Sequence, residues 1–168
     1  MKWLLYISIA VAALIVVIVI IGYALPVAHH ATRIARFGQP PEVIFAAITG
    51  PQDWRPGVTI EQMSSADGVR RWRETSGRQT ITFEETVREA PRLYRTRIAD
   101  KNLPFAGTWT YEITPTADGC TLRITEDGQV FNPIFRFVGR FIIGNTKTIE
   151  DYLRAMGKKF GEEVKIEE

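Results

Sequence analysis

From Leu4 to Leu25 the chain runs for 22 residues without a charged side chain. No other stretch restricts the chain so strongly. A helix of that length is roughly 33 Å long, enough to cross a hydrocarbon layer of ~30 Å. The run is apolar on every side, whereas a helix on a soluble domain keeps a polar face. A cleaved secretory signal has an apolar core of only ~7–15 residues followed by a small-x-small site. Ala24-Leu25-Pro26-Val27-Ala28 offers no convincing site of that kind. The expectation is an uncleaved, single-pass anchor over residues 1–26, with Trp3 and Tyr23 as interfacial aromatics.

Lys2 and the terminal amine favour a cytoplasmic N-terminus, while Arg33 and Arg36 pull the other flank to the same side. These arginines fall in an expected strand, which lowers their weight, and the balance tips toward a body on the non-cytoplasmic side. Residues 27–31 read as a short linker and residues 32–165 as one domain. From Pro26 to Ala31 the chain reaches at most ~20 Å, so the body stays near the headgroups.

The formal charge of +2, with basic and acidic residues interspersed, lacks the basic stripe of a nucleic-acid binder. No nucleic-acid partner is expected. Cys120 is the single cysteine; it forms no internal disulfide and is silent on redox compartment.

In the body, Ala28–Phe37 reads as a first strand. Gln39-Pro40-Pro41-Glu42 opens a helix carrying Val43, Ile44, Phe45 and Ile48, which Gly50-Pro51 stops. Between Val58 and Val130 the apolar pattern has period two, cut by turn residues. Strands are expected at 58–64, 69–75, 78–89, 92–99, 105–116 and 119–130, joined as one antiparallel meander. Its outer face carries Arg95 and Arg97, or Thr80, Thr82 and Glu84. Asn132-Pro133 caps a long terminal helix up to Phe160, with Gly139 and Gly144 marking a bend or break. A sheet with one apolar face needs a cover, and only that helix is long enough to supply it.

With this order of elements, the chain resembles the START-like, or SRPBCC, superfamily of the polyketide cyclase/dehydrase type over about residues 28–160. The resemblance rests on Pro41-Glu42-Val43-Ile44-Phe45 through Trp54-Arg55-Pro56-Gly57, on Gly107-Thr108-Trp109-Thr110-Tyr111-Glu112, on Asp118-Gly119-Cys120-Thr121-Leu122 and on the closing segment 132–157. It implies an α+β helix-grip fold, a curved antiparallel sheet wrapped around a long C-terminal helix, enclosing a pocket for hydrophobic small molecules. That superfamily includes lipid carriers, hormone receptors and cyclases, so the fold does not choose a function.

Alternation supplies an inward set: Ile81, Phe83, Glu85 and Val87; Tyr94, Thr96 and Ile98; Phe105, Trp109, Tyr111 and Ile113; Cys120, Leu122, Ile124 and Glu126. Tight turns place Glu85 opposite Thr96 and Trp109 opposite Glu126. The candidate ligand-lining residues are Trp72, Phe83, Glu85, Tyr94, Trp109, Tyr111 and Glu126 on the sheet, with Phe135 and Ile142 on the terminal helix. The two carboxylates either pair with Arg or Tyr groups, or sit at a wet edge, or orient a ligand. Acid–base catalysis by the pair has the least support, because nothing else resembles a reaction centre. Trp54 is a lid or a packing residue.

His29-His30 are adjacent, so on a strand they face opposite sides and make a poor metal pair. Ser64-Ser65 and Cys120 lack a histidine base. No cofactor or metal is expected. Segment Ile134–Ile143 is apolar on more than one side; it either touches the membrane, with Arg136 and Arg140 at headgroup level, or packs on the body. The leading functional expectation is a membrane-anchored domain that binds a lipid, isoprenoid or aromatic molecule. The alternatives are a cyclase- or dehydrase-like enzyme and a recruitment module with a filled core, its protein partner unspecified.

Overall fold

The computed structural model describes residues 2–64 and 67–168; Ser65 of the Ser64-Ser65 pair lies outside the described residues. Helix α1 (Lys2–Ala24) is followed after three residues by β1 (Ala28–Phe37) and α2 (Pro41–Thr49). Residues 28–31 belong to β1, whose bounds are those of the expected strand Ala28–Phe37, so the connection is shorter than a linker over 27–31. The meander follows as β2 (Val58–Met63), β3 (Arg71–Ser76), β4 (Gln79–Glu89), β5 (Leu93–Ile98), β6 (Phe105–Thr116) and β7 (Gly119–Val130). Helices α3 (Pro133–Val138) and α4 (Lys147–Phe160) and a short strand β8 (Ile166–Glu167) complete the chain.

The eight strands form one sheet in the order β2-β3-β4-β5-β6-β7-β1-β8. Every pair is antiparallel. With α4 lying across it, this is the expected helix-grip fold. β8 has no period-two signal of its own; it exists because Ile34 and Ala35 offer a free edge to Glu167 and Ile166.

The expected single terminal helix is interrupted. Asn132 Oδ1 accepts from the backbone N–H groups of Ile134 and Phe135 and starts α3 as anticipated. A π-helical turn over Gly139–Ile143 then ends at Gly144, whose φ of 83° suits glycine and redirects the chain. Of the two helical pieces, α4 is the one that covers the sheet, alongside α2. Its Ile149, Leu153 and Met156 recur at helical spacing and are fully buried against Leu122, Ile124 and the α2 residues Ile44 and Ile48. Arg33 Nε on β1 donates to Glu150 Oε1 at 3.2 Å, tying α4 to the sheet.

One irregularity changes which residues face inward. In β4, Glu85 pairs with Thr96, but the next pair is Val87 with Arg95, so Thr86 is an extra residue. Such a bulge reverses the alternation beyond it. Val87, expected inside, lies on the outer side with Arg95, and Arg88 takes the concave position opposite Tyr94. There its guanidinium lies 5.6 Å from the Phe45 ring centre.

The outer face also departs from expectation at Glu84. It sits in the row Arg71–Glu84–Arg97 yet is buried, covered by the two guanidinium groups that bond to it. Arg97, with Arg71 assisting, holds its carboxyl below the usual carboxylate range. A depressed folded-state pKa contributes stability above the unfolded value of ~4.3, and loses it as pH falls through the folded value. We expect the full chain in detergent micelles to lose Tm on acidification below about pH 4. Glu84→Gln lowers Tm at neutral pH and flattens that acid limb; circular dichroism melts across the pH range measure both.

Candidate functional site

The space between sheet and α4 is part solid and part hollow. Near the far ends of β6 and β7, Ile113, Leu122 and Cys120 fill it completely. Toward the end where β5 finishes and β6 begins, it opens into a cavity of about 600 Å³. That volume falls within the ~300–1,000 Å³ usual for small-molecule sites.

Aromatic rings make its walls. Trp72 and Phe83 stack with centres 5.9 Å apart. Trp109 and Tyr111 follow on β6, with Tyr94 beside Tyr111 at 5.8 Å. From α4, Tyr152 meets Trp54, Trp109 and Tyr111 at 5.2, 5.9 and 5.8 Å. Five of these rings, Trp54, Tyr94, Trp109, Tyr111 and Tyr152, thus form a connected set that joins the sheet to the helix, with the Trp72–Phe83 stack as a separate pair.

Polar groups enter this surface at two places. At one, Glu74 accepts from the Trp72 indole N–H at 3.0 Å and from Arg55 Nη1 at 2.8 Å. Arg55 also donates to Gln52 Oε1, and its guanidinium lies 5.3 Å from the Tyr152 ring centre. Next to this satisfied pair, the Tyr152 hydroxyl is buried and makes no hydrogen bond among the described residues. Burial pushes the phenols of Tyr111 and Tyr152 well up, so both remain neutral donors at physiological pH. A buried, unmade hydrogen bond is costly, and a ligand acceptor placed there relieves it.

At the other place, Glu126 stands opposite Trp109, and His29 Nε2 lies 3.5 Å from its Oε1. His30 turns to the opposite face and meets Asp127 at 2.7 Å, as adjacent strand positions require.

The expected row Glu85–Thr96–Trp109–Glu126 is present, pair by pair. Its two carboxylates are three strand steps apart, about 14 Å, too far for one reacting centre. Of the expected lining residues, Trp72, Phe83, Tyr94, Trp109, Tyr111, Glu126 and Phe135 border the cavity. Glu85 does not; it bonds to Arg88 at 3.1 Å beyond the cavity wall. Its negative charge adds to burial in raising the Tyr94 phenol. Ile142 is 70% exposed on the π turn and also lies outside the wall.

Among the lining residues outside the expected set are Glu74, His29, Tyr152 and Arg55, the groups that carry the polar and helix-side features. Glu74 lies two positions after Trp72, and His29 shares the odd-numbered face of β1 with Ala31, Ala35 and Phe37, so alternation carried both signals. Tyr152 read as core stripe. Arg55 sits in a loop without periodicity.

Residues 29–161 match the family described as polyketide cyclase / dehydrase and lipid transport. The chain belongs to that family. Its fold is shared by solved structures at low sequence identity. Norcoclaurine synthase from Thalictrum flavum matches with 16% identity and a TM-score of 0.61, covering 86% of this chain and 92% of that one. A conserved protein from Geobacillus kaustophilus matches with 14% identity and a TM-score of 0.62, covering 83% and 100%. The di-domain ARO/CYC StfQ from the steffimycin biosynthetic pathway matches with 11% identity and a TM-score of 0.58, covering 80% of this chain and 52% of that one. No curated protein is similar enough in sequence to match. Within the polyketide cyclase / dehydrase and lipid transport family, this chain presents the aromatic cavity together with the Arg55–Glu74 pair.

That pair supports the cavity wall. Arg55→Met leaves the Glu74 carboxylate with the Trp72 indole alone, in a site where both partners are mostly buried. The expected loss is about 2 kcal/mol of unfolding free energy. Arg55→Met combined with Glu74→Gln recovers part of it, as read from urea titrations followed by tryptophan fluorescence. An equal loss in the double variant assigns the effect to packing on Tyr152 instead of charge.

Proposed function

We propose that this chain is a single-pass, membrane-anchored domain that holds a hydrophobic small molecule, of lipid, isoprenoid or aromatic character, in the cavity beneath α4. The observation that carries the reading is the hollow itself: about 600 Å³ walled by aromatic rings, with one buried hydroxyl left unbonded on Tyr152. An interior that served packing alone would fill that space. In this reading Trp72, Phe83, Tyr94, Trp109, Tyr111 and Phe135 give the ligand apolar contact. Tyr152 donates to an acceptor at its polar end, and Glu126 with His29 faces its other end. α1, 23 residues long and exposed along its apolar length up to its last turns, is the anchor, with the body on the non-cytoplasmic side. A recruitment module with a filled core is disfavoured by the same hollow.

One observation favours a second reading, a cyclase- or dehydrase-like enzyme on a hydrophobic substrate. His29 and Glu126 approach each other at 3.5 Å on the cavity wall, within the range from which an acid–base pair tightens on substrate. Under that reading Glu126→Gln abolishes turnover and leaves binding intact.

Native mass spectrometry of the full chain, released from gentle detergent, tests the first reading. It is expected to show a co-released apolar molecule. A pyrene-labelled fatty acid is expected to bind the full chain and quench tryptophan fluorescence. Tyr152→Phe weakens that binding about tenfold, the value of one hydrogen bond of ~1.4 kcal/mol, and leaves Tm of the empty protein within about a degree. An empty chain that binds no probe overturns the reading.

A further inference from the structure

The segment after the last long strand carries a concentration of exposed apolar side chains that the fold does not use. Phe131, Ile134, Phe135, Phe141, Ile142 and Ile143 are all exposed, Phe141 at 60% and Ile142 at 70%. Contiguous apolar surface of this kind marks an interaction site. Its neighbour identifies the partner. α1 packs on α3, and Gly22 is buried so tightly under Pro133 that a Cβ there would lie 2.1 Å from the Pro133 carbonyl oxygen. Gly22 is buried, Ile18 and Val19 on α1 and Leu25 just after it are half-buried, and the rest of α1 is exposed. The apolar surface of 131–143 is thus continuous with that of α1.

Charge placement agrees. Arg136 does not point away from α1; its Nη1 donates to the Leu25 carbonyl at 2.8 Å, and its guanidinium lies 5.8 Å from the Tyr23 ring centre. This satisfies an orphan carbonyl at the α1 C-terminus, where a cation is favourable. Arg140 is exposed and makes no ion pair among the described residues, leaving it free for an anionic headgroup. The shielded part runs seven residues back from the end of α1, about 10 Å along its axis. Amphipathic segments lying in a bilayer surface reach ~5–10 Å deep. Phe135 joins the two regions, since it is exposed on α3 and also borders the cavity.

We propose that residues 131–143 form a lip inserted in the bilayer that α1 crosses, and that the cavity exchanges its ligand with the acyl layer past Phe135. The lip itself rests on geometry; the exchange step rests on the proposed ligand-binding function.

The test uses the full chain in vesicles of phosphatidylcholine and phosphatidylglycerol, labelled with a nitroxide at Ile142→Cys or, as control, Asp118→Cys on the far turn. Cys120 is fully buried and its thiol is pushed up to about 11, so it stays unlabelled. Spin relaxation at 142 is expected to respond several-fold more to oxygen than to a water-soluble nickel chelate, and at 118 the reverse. A water-like response at 142 overturns the lip. Shielding from both quenchers assigns the patch to a protein partner or a second copy, and also overturns it. For exchange, Phe141→Asp with Ile142→Asp is expected to bind the pyrene-labelled fatty acid in detergent within twofold of the unaltered chain. Its uptake of that probe from vesicles is expected to be at least tenfold slower. Uptake at an unchanged rate overturns the exchange route. A lipid-exposed label on a chain that binds no probe leaves the lip standing and removes the ligand-binding function instead.

Discussion

Ten consecutive residue pairs join β1 to β7, from Ala28 with Gln129 to Phe37 with Cys120. This ladder brings together parts of the chain about a hundred residues apart, and its closure entropy is recovered only when the whole meander between them has formed. Its consequences reach every functional feature. It sets His29 beside Glu126, places the start of β1 next to the end of β7, and so brings the C-terminal end of α1 against α3. If β1 slipped by one residue, His30 would replace His29 on the cavity face, and Ala31 and Ala35 would leave the core. The small side chains of Ala31 and Ala35 are what allow α4 to approach β1 closely enough for Arg33 to reach Glu150.

The interior then separates two kinds of polar group. Glu74 is provided for within the chain, by an indole and a guanidinium held in place by neighbouring rings. Tyr152 is not, although it lies at the centre of the aromatic wall. The difference matters because a hydroxyl in that position keeps its binding capacity, whereas a carboxylate left equally bare would be far more costly. Arg55, already paired with Glu74, lies over the Tyr152 ring without consuming the hydroxyl. The wall is thus rigid where charge is buried and open where a neutral donor is offered.

How much of this could be read from the residues alone follows from the physics of each element. Strands β4 to β7 and the row Glu85–Thr96–Trp109–Glu126 were legible because alternation and tight turns fix register. Val87 was misplaced because a bulge leaves no compositional mark; Thr86 is an ordinary strand residue. The break at Gly139–Gly144 was visible as glycine, but not that it would confine the covering helix to α4. β8 depends on an edge that exists only after folding. His29 was legible as a strand residue and obscure as a site residue, since its partner Glu126 lies 97 positions away and only the β1–β7 register joins them. Arg55, in a loop, had no pattern to reveal it.

The same ladder explains why the apolar helix α1 and the cavity occupy one end of the molecule. Three residues separate α1 from β1, too few to carry the body far from the end of that helix. Since β1 runs antiparallel to β7, the strand that starts after α1 must lie beside the strand end from which α3 departs. The hollow part of the interior is at that end, bordered by Phe105, Val130 and Phe135, while the solid part with Ile113, Leu122 and Cys120 is at the other. Filling the distal half secures the fold, so the proximal half can remain open without the stability of the sheet depending on what enters it. Had α1 joined the sheet at the opposite end, packed core and not the opening would lie beside it.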